Sequence, residues 1–250
     1  MSVPVIVLAG GKAKPELQAV IGVDNRALAM VDGKTLISRV TSAIHDSDRK
    51  MRILVIGDLP IQPGCEMLAD AGDFVSNVLA GAEYFAEFRY VLFVTADLPY
   101  LSGAVLSEFI DNALGEAEST GAVLVYPVVP VQLCYDKFPG IKRTALKLSE
   151  GVLTGGNIML ARPGELVARR QTISKVYLAR KSLLNLGAML GAGTVLRILL
   201  AQTLSPKLLT VEYLEKQVAR LLRCSVSAIL SNQPELATDL DRPEDFLSLR

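Results

Sequence analysis

Val3-Pro4-Val5-Ile6-Val7-Leu8-Ala9-Gly10-Gly11 opens the chain with a short apolar run, rich in β-branched residues, that stops abruptly at two glycines. Such a run reads as a strand buried on both faces, the kind found in a parallel sheet. Two later segments repeat it: Arg52 to Ile56 ending at Gly57-Asp58, and Tyr90 to Thr95 ending at Ala96-Asp97. Helical patterns are expected between and after these strands, at Thr35 to Ile44, Gly64 to Ala71, Val78 to Phe88 and Gly103 to Leu114. Buried strands alternating with helices imply a three-layer α/β domain. In such sheets ligands gather at the carboxyl ends of the strands, where these Gly and Asp residues stand.

The later part of the chain reads differently. Ala122 to Val129 is a further strand, and Pro127 within it favours an edge or irregular position. From Gly164 to about Leu230 helical patterns dominate, at Gly164 to Lys175, Val176 to Leu184, Ala188 to Leu204 and Val211 to Leu222. Leu236 to Leu240 reads as a last strand, and Pro243 suits the first turn of a closing helix. Leu183 to Leu204 is the most hydrophobic window. Asn185, Arg197 and Gln202 interrupt it and three glycines weaken it as a membrane span, so a buried core helix is expected. Gly187 and Gly191 have the spacing that lets helix backbones approach.

Composition removes whole classes of function. The 250 residues carry 26 Lys and Arg against 26 Asp and Glu, and half of them are hydrophobic. That excludes a disordered chain and argues against a dedicated nucleic-acid binder. The single histidine, His45, sits in a polar stretch, so a Ser-His-Asp hydrolase or a multi-histidine zinc site is not expected. Cys65, Cys134 and Cys224 lie far apart and read as reduced thiols. The chain enters its first strand with no charged leader, which we read as cytoplasmic. What remains is chemistry by carboxylates, lysines, arginines and backbone amides, the equipment of metal-assisted phosphate transfer.

The loop Leu8-Ala9-Gly10-Gly11-Lys12-Ala13-Lys14 suits an anion, because two positions without side chains let backbone N–H groups approach it while lysines supply charge. A plain tight turn is the alternative. The Gly-x-Gly-x-x-Gly pattern of dinucleotide folds is absent, and a Walker A reading of Gly33-Lys34-Thr35 fails because its first glycine would fall at Leu28.

Further motifs follow in order. Arg26-Ala27-Leu28 precedes Gly33-Lys34-Thr35-Leu36-Ile37; then come Asn77-Val78-Leu79-Ala80-Gly81, Thr95-Ala96-Asp97-Leu98-Pro99, and Asp239-Leu240-Asp241-Arg242-Pro243-Glu244-Asp245. Together with Leu8-Ala9-Gly10-Gly11 they resemble the MobA-like NTP transferases, over residues 3 to about 160 and 236 to 247. The resemblance implies one domain over residues 1–250, a three-layer α/β/α mixed sheet of the nucleotide-diphospho-sugar-transferase-like (GT-A-like) kind, with a helical C-terminal insert at about 164–230. It implies a nucleotidyltransferase that uses Mg2+ to pass NMP from an NTP to a small phosphorylated or hydroxyl acceptor, releasing pyrophosphate. Leu8, Ala9, Gly10, Gly11, Asn77, Gly81 and Asn157 would bind the nucleotide. Lys12, Lys14, Arg26 and Asp97 would be catalytic, and Asp97 with Asp241 would hold the metal. Helix-capping roles are the alternative for the two aspartates.

The chain departs from the family pattern twice. Lys12-Ala13-Lys14-Pro15-Glu16 replaces an arginine-bearing loop, and Arg26 stands where the family has lysine, exchanging a compact ammonium for a planar fork. Lys142-Arg143-Thr144 and Thr154-Gly155-Gly156-Asn157 resemble the acceptor side, although Lys142 and Arg143 also suit solvated surface. The basic residues Lys12, Lys14, Arg26 and Lys34 and the acidic residues Asp97, Asp239 and Asp241 are expected to meet in one cleft. Two other functions fit the same fold: a nucleotide-binding regulatory protein without turnover, and a nucleotide-sugar glycosyltransferase. The latter would show Asp-x-Asp after a central strand, where Thr95-Ala96-Asp97 has only the last aspartate. The insert is expected to form a homodimer contact, or else to cover a hydrophobic acceptor. Neither nucleic acid nor a membrane is expected as a partner.

Overall fold

The computed structural model describes residues 3–179 and 183–249, with the side chains of 183–186 left aside. The first strand, β1 (Val5–Leu8), is buried at every position and lies in the interior of a nine-stranded sheet. Helix α1 (Pro15–Ile21) follows, then the short hairpin β2 (Met30–Val31) and β3 (Lys34–Thr35), whose turn places Asp32 and Gly33 at positive φ. Thr35 caps α2 (Leu36–His45), and β4 (Ile53–Ile56) pairs parallel with β1.

Gly64 to Ala71 is not a helix. Its centre is strand β5 (Glu66–Leu68), parallel to β4 and isolated between Gly64 and Gly72, both at positive φ. The seven residues between these glycines are too few for a stable isolated helix, and backbone pairing with β4 fixes them as a strand instead. Helix α3 (Phe74–Tyr84) starts earlier than its apolar pattern suggested because Asp73 accepts hydrogen bonds from the amides of Val75 and Ser76. Strand β6 (Val91–Thr95) then pairs parallel with β1 on its other side, and α4 (Gly103–Thr120) follows.

Strand β7 (Leu124–Pro130) is followed by α5 (Val131–Lys137), β8 (Leu146–Leu148), β9 (Gly151–Gly155) and β10 (Ile158–Ala161). Pro127 is not on an edge: β7 pairs antiparallel with both β10 and β9 and parallel with a strand from the end of the insert. The irregularity that Pro127 needs lies between β9 and β10. There Gly156 donates its N–H to the Pro127 carbonyl at 2.9 Å, and a Cβ on Gly156 would strike the proline ring.

The insert contains α6 (Pro163–Ala168), α7 (Arg170–Ala179), α8 (Leu183–Leu190), α9 (Ala192–Thr203) and α10 (Val211–Leu222). The expected helix from Val176 to Leu184 crosses residues 180–182, outside the described ones. The window Leu183 to Leu204 is neither one helix nor a buried core. Gly191, at φ 85°, separates α8 from α9, and Leu196, Leu199 and Leu204 are 57%, 57% and 76% exposed. Among the described residues no helix is long and apolar enough to cross a membrane. The insert ends in β11 (Val226–Leu230), which enters the main sheet beside β7 and was not expected from the sequence. Leu236 to Leu240 runs as irregular chain from the end of a 3-10 turn (Pro234–Leu236) instead of forming a strand, and α11 (Pro243–Leu247) follows with Pro243 in its first turn.

Two apolar layers hold the sheet. On one face Val5, Val7, Leu92 and Val94 pack against Ile37 and Val40 of α2 and Leu106 and Phe109 of α4. On the other, Ile6, Leu54 and Phe93 meet Val78 and Ala82 of α3 and Leu166 of α6. The result is the expected α/β/α arrangement with a mixed sheet. Burial on both faces is what the unbroken apolar strands require.

Candidate active site

The ends of β1 and β6 bring Gly10 and Asp97 to the same edge of the sheet, with the Ala96 N–H donating to the Leu8 carbonyl at 3.1 Å. Leu8, Ala9, Gly10, Arg26 and Asp97 surround a small cavity of about 20 Å³. It adjoins a cleft of about 450 Å³ lined by Gly10, Gly11, Lys12, Lys14, Arg26 and Asp241. Six of the expected site residues therefore share one cleft, and its volume suits a small-molecule ligand. Lys34 lies on the β2–β3 hairpin and is not part of this lining.

Arg26 is placed by its neighbour Asn25. The Asn25 Oδ1 accepts from the Ala27 N–H at 2.8 Å, and its Nδ2 donates to the Ala9 carbonyl at 2.9 Å, tying the turn to the loop after β1. The Arg26 guanidinium then pairs with Asp97 at 2.6 Å and with Asp241 through its other terminal nitrogen. Burial works against the Arg26 charge, but Asp97, Asp241 and Asp239 outweigh it and raise its pKa. Asp97 is only 5% exposed. Desolvation raises its pKa, opposed by Arg26 and reinforced by Asp239.

The closing segment is held to β6 by backbone, since the Leu240 N–H donates to the Asp97 carbonyl at 3.1 Å. Asp245 fixes its turn by accepting from the N–H groups of Asp241 and Arg242 at 3.0 and 2.8 Å. Asp239 pairs with Arg143, both largely buried, while Lys142 is exposed. The acceptor-side motif thus splits into one structural ion pair and one surface charge.

Asp70, which the sequence did not single out, organises the glycine loop. Its carboxylate accepts from the Gly11 N–H at 2.7 Å, the Gly72 N–H at 2.9 Å and the Asn77 Nδ2 at 2.9 Å, which lowers its pKa. A Cβ on Gly10 would collide with Asn77 and Asp70, and Gly11 has φ 90°. Gly10 is thus needed for space and Gly11 for its backbone conformation. The signal available was Asp70-Ala71-Gly72 just past a short apolar run.

Asn77 is buried on α3 and reaches the loop through Asp70. Gly81 does not reach it. It is buried inside α3, where a Cβ would press on Ile6 and Ile56, so its role is close helix-to-sheet packing. A helix interior has its amides committed to helical bonds and cannot cradle a phosphate. Asn157 lies beside β6, where its carbonyl accepts from the Thr95 N–H at 3.1 Å, and its Nδ2 is buried without a partner.

Comparison with known proteins now decides the family. A model of the MobA-like NTP transferase domain matches residues 5–146, more than half of the chain. The chain belongs to that family. A hypothetical transferase from Thermus thermophilus is similar to this MobA-like domain at 29% identity over 98% of this chain and 100% of that one, with a TM-score of 0.85. An alignment of that extent takes in most of the helical insert. Two further structures share the fold alone. CMP:2-keto-3-deoxy-manno-octonic acid synthetase complexed with CTP has 11% identity, 97% and 94% coverage and a TM-score of 0.57. The 2-C-methyl-D-erythritol 4-phosphate cytidylyltransferase from Thermus thermophilus has 16% identity, 99% and 96% coverage and a TM-score of 0.52. No curated protein matches the chain significantly.

Magnesium can be tested against this donor set. Among the described residues no three His, Cys, Asp or Glu side chains converge as a self-sufficient metal site. Magnesium in phosphate-transfer sites needs only one or two carboxylates, its other ligands being water and substrate phosphates. The Asp97 Oδ1 is buried and has no hydrogen-bond partner, and Asp241 reaches the same guanidinium. The donors fit the ion.

Proposed function

We propose that this MobA-like domain is a magnesium-dependent nucleotidyltransferase that passes NMP from an NTP to a small phosphorylated or hydroxyl acceptor and releases pyrophosphate. The observation that carries this reading is the Arg26 guanidinium shared between Asp97 and Asp241 at the mouth of the Gly10-Gly11 loop. One movable cation and two carboxylates supply both signs of charge that a metal nucleotide requires. An acceptor oxygen bonds to the α-phosphorus as the bond from that phosphorus to the bridging oxygen breaks, and the pyrophosphate leaves with the electron pair.

Each residue has a task in that step. Lys12 and Lys14, exposed on the cleft wall, neutralise the leaving phosphates. Arg26 turns from the carboxylates toward the α-phosphate, its planar fork suiting two phosphate oxygens. Asp97 and Asp241 would hold magnesium, which when bound offsets charge between nucleotide and acceptor. Asp70 and Asn77 keep the loop in shape, and the unpartnered Asn157 amide is a donor for substrate at the sheet end.

Pyrophosphate release with a panel of NTPs and phosphorylated acceptors in magnesium tests the proposal. Release that depends on NTP, acceptor and metal together supports it; NTP binding without release from any acceptor sinks it. That second outcome is the one expected of a nucleotide-binding regulatory protein, a reading favoured by the same ion pairs if Arg26 never leaves the carboxylates.

A further inference from the structure

A second large cavity, of about 480 Å³, lies between α10 and the sheet, against β7, β9 and β11. Its wall includes Leu124, Val128 and Leu153 from the sheet and Leu214 and Val218 from α10, and among the described residues its polar side chains are those of Tyr126, Thr144 and Glu215. Glu215 is already engaged, accepting from the Ala228 N–H of β11. Filling such a wall with a sugar would leave the sugar's hydroxyls without partners, so the cavity selects aliphatic matter. Its volume lies within the range of small-molecule sites.

Two of the polar side chains of this cavity, Tyr126 and Thr144, adjoin the Arg143–Asp239 ion pair. Tyr126 packs against Gly155, where a Cβ would strike its hydroxyl, and it feels the charges of Arg143 and Asp239. Asp239 in turn acts on Arg26 and Asp97. Thr144, on the cavity wall, directly follows Arg143, whose Nε is buried without a hydrogen-bond partner. Arg143, next to the cavity wall in the chain and paired with Asp239, thus carries a spare cationic donor at the Nε.

We infer that the cavity under α10 takes the tail of an aliphatic phosphate monoester, the acceptor's phosphate lying toward Arg143 and its hydrocarbon chain along β7. This inference rests on the transfer reading for the identity of the acceptor. It gives the insert a role in substrate choice: α10 and β11 together make the wall that a compact sheet would lack.

Calorimetric titration of the full chain with decyl phosphate and with ethyl phosphate, below micellar concentration, tests the assignment without turnover. Decyl phosphate is expected to bind at least about tenfold more tightly, because each buried methylene adds to the transfer free energy. Ala228→Phe, which fills the cavity, is expected to bring the two ligands within about threefold of each other while NTP affinity is unchanged. Should that variant fail to fold, Val218→Glu at the half-exposed helix wall makes the same demand. Equal affinities, or a preference that survives the cavity variants and disappears in Leu199→Asp on the exposed face of α9, would overturn the inference. Chain-length-dependent binding with no pyrophosphate release from any NTP overturns the transfer reading and leaves the cavity assigned. Pyrophosphate release from short acceptors without any chain-length preference does the reverse.

Discussion

Arg26 and Asp241 are 215 residues apart in sequence and form an ion pair, and the same guanidinium holds Asp97 at 2.6 Å. Both carboxylates expected to hold a metal are thus neutralised by a side chain from the motif that follows the glycine loop. Arginine does this through two separate terminal nitrogens, a planar fork that spans a wider gap than the single nitrogen of a lysine ammonium.

Asp97→Asn is expected to cut pyrophosphate release at least about 100-fold, the scale of losing one preorganised charge in a transfer site. NTP binding measured without metal should change little, since Arg26 and the loop remain. Unchanged turnover in this variant would remove Asp97 from the mechanism.

Arg26→Ala leaves the buried Asp97 uncompensated. Stability should fall by about 2 to 3 kcal/mol, below the figure for a fully buried pair because Arg26 is partly exposed. Magnesium should then raise the melting temperature more in the variant than in the parent, because the ion no longer competes with the guanidinium. Thermal denaturation at several magnesium concentrations reads this directly, and Arg26→Lys should fall between the two.

Two glycines that look alike in sequence should separate cleanly on substitution. Gly10→Ala is expected to weaken NTP binding at least about tenfold, as the new methyl displaces Asp70 and Asn77 from the loop. Gly81→Ala should instead cost ~1 to 3 kcal/mol of stability by overpacking Ile6 and Ile56, with NTP affinity retained. Denaturant titration paired with calorimetry distinguishes them.

The Asp70 carboxylate is held below its ordinary pKa by hydrogen bonds from Asn77, Gly72 and Gly11. A depressed folded pKa means that its contribution to stability is complete above the unfolded value of about 3.9 and lost as pH falls through the lower folded value. The melting temperatures of the parent and Asp70→Asn should therefore differ at neutral pH and converge in acid. A gap that stays constant from neutral pH through the acid range would mean that Asp70 does not act through its charge.

Much of the site was legible in the chain because it lies where strands stop. The apolar runs ending at Gly10 and Asp97 placed both residues at the carboxyl edge, and the motif Asp239 to Asp245 gave the closing segment. Asn25 and Asp70 were harder to see, since each works through backbone hydrogen bonds to residues that only the fold brings near. Gly81 misled for the converse reason: a glycine in a motif reads the same whether it spares space for a ligand or for the side chain of Ile6.

The sequence by itself determined the α/β alternation, the two-sided burial of the central strands and the chemistry of the loop after β1, because these follow from local periodicity and from residues without side chains. Only the tertiary structure decided that β5 and β11 are strands, that the leucines of α9 are exposed, and that an apolar cavity lies between α10 and the sheet. Only it brought Arg26 to Asp97 and Asp241. Strand pairing and ion pairing across the chain depend on long-range register, and no local pattern in the chain carries that information.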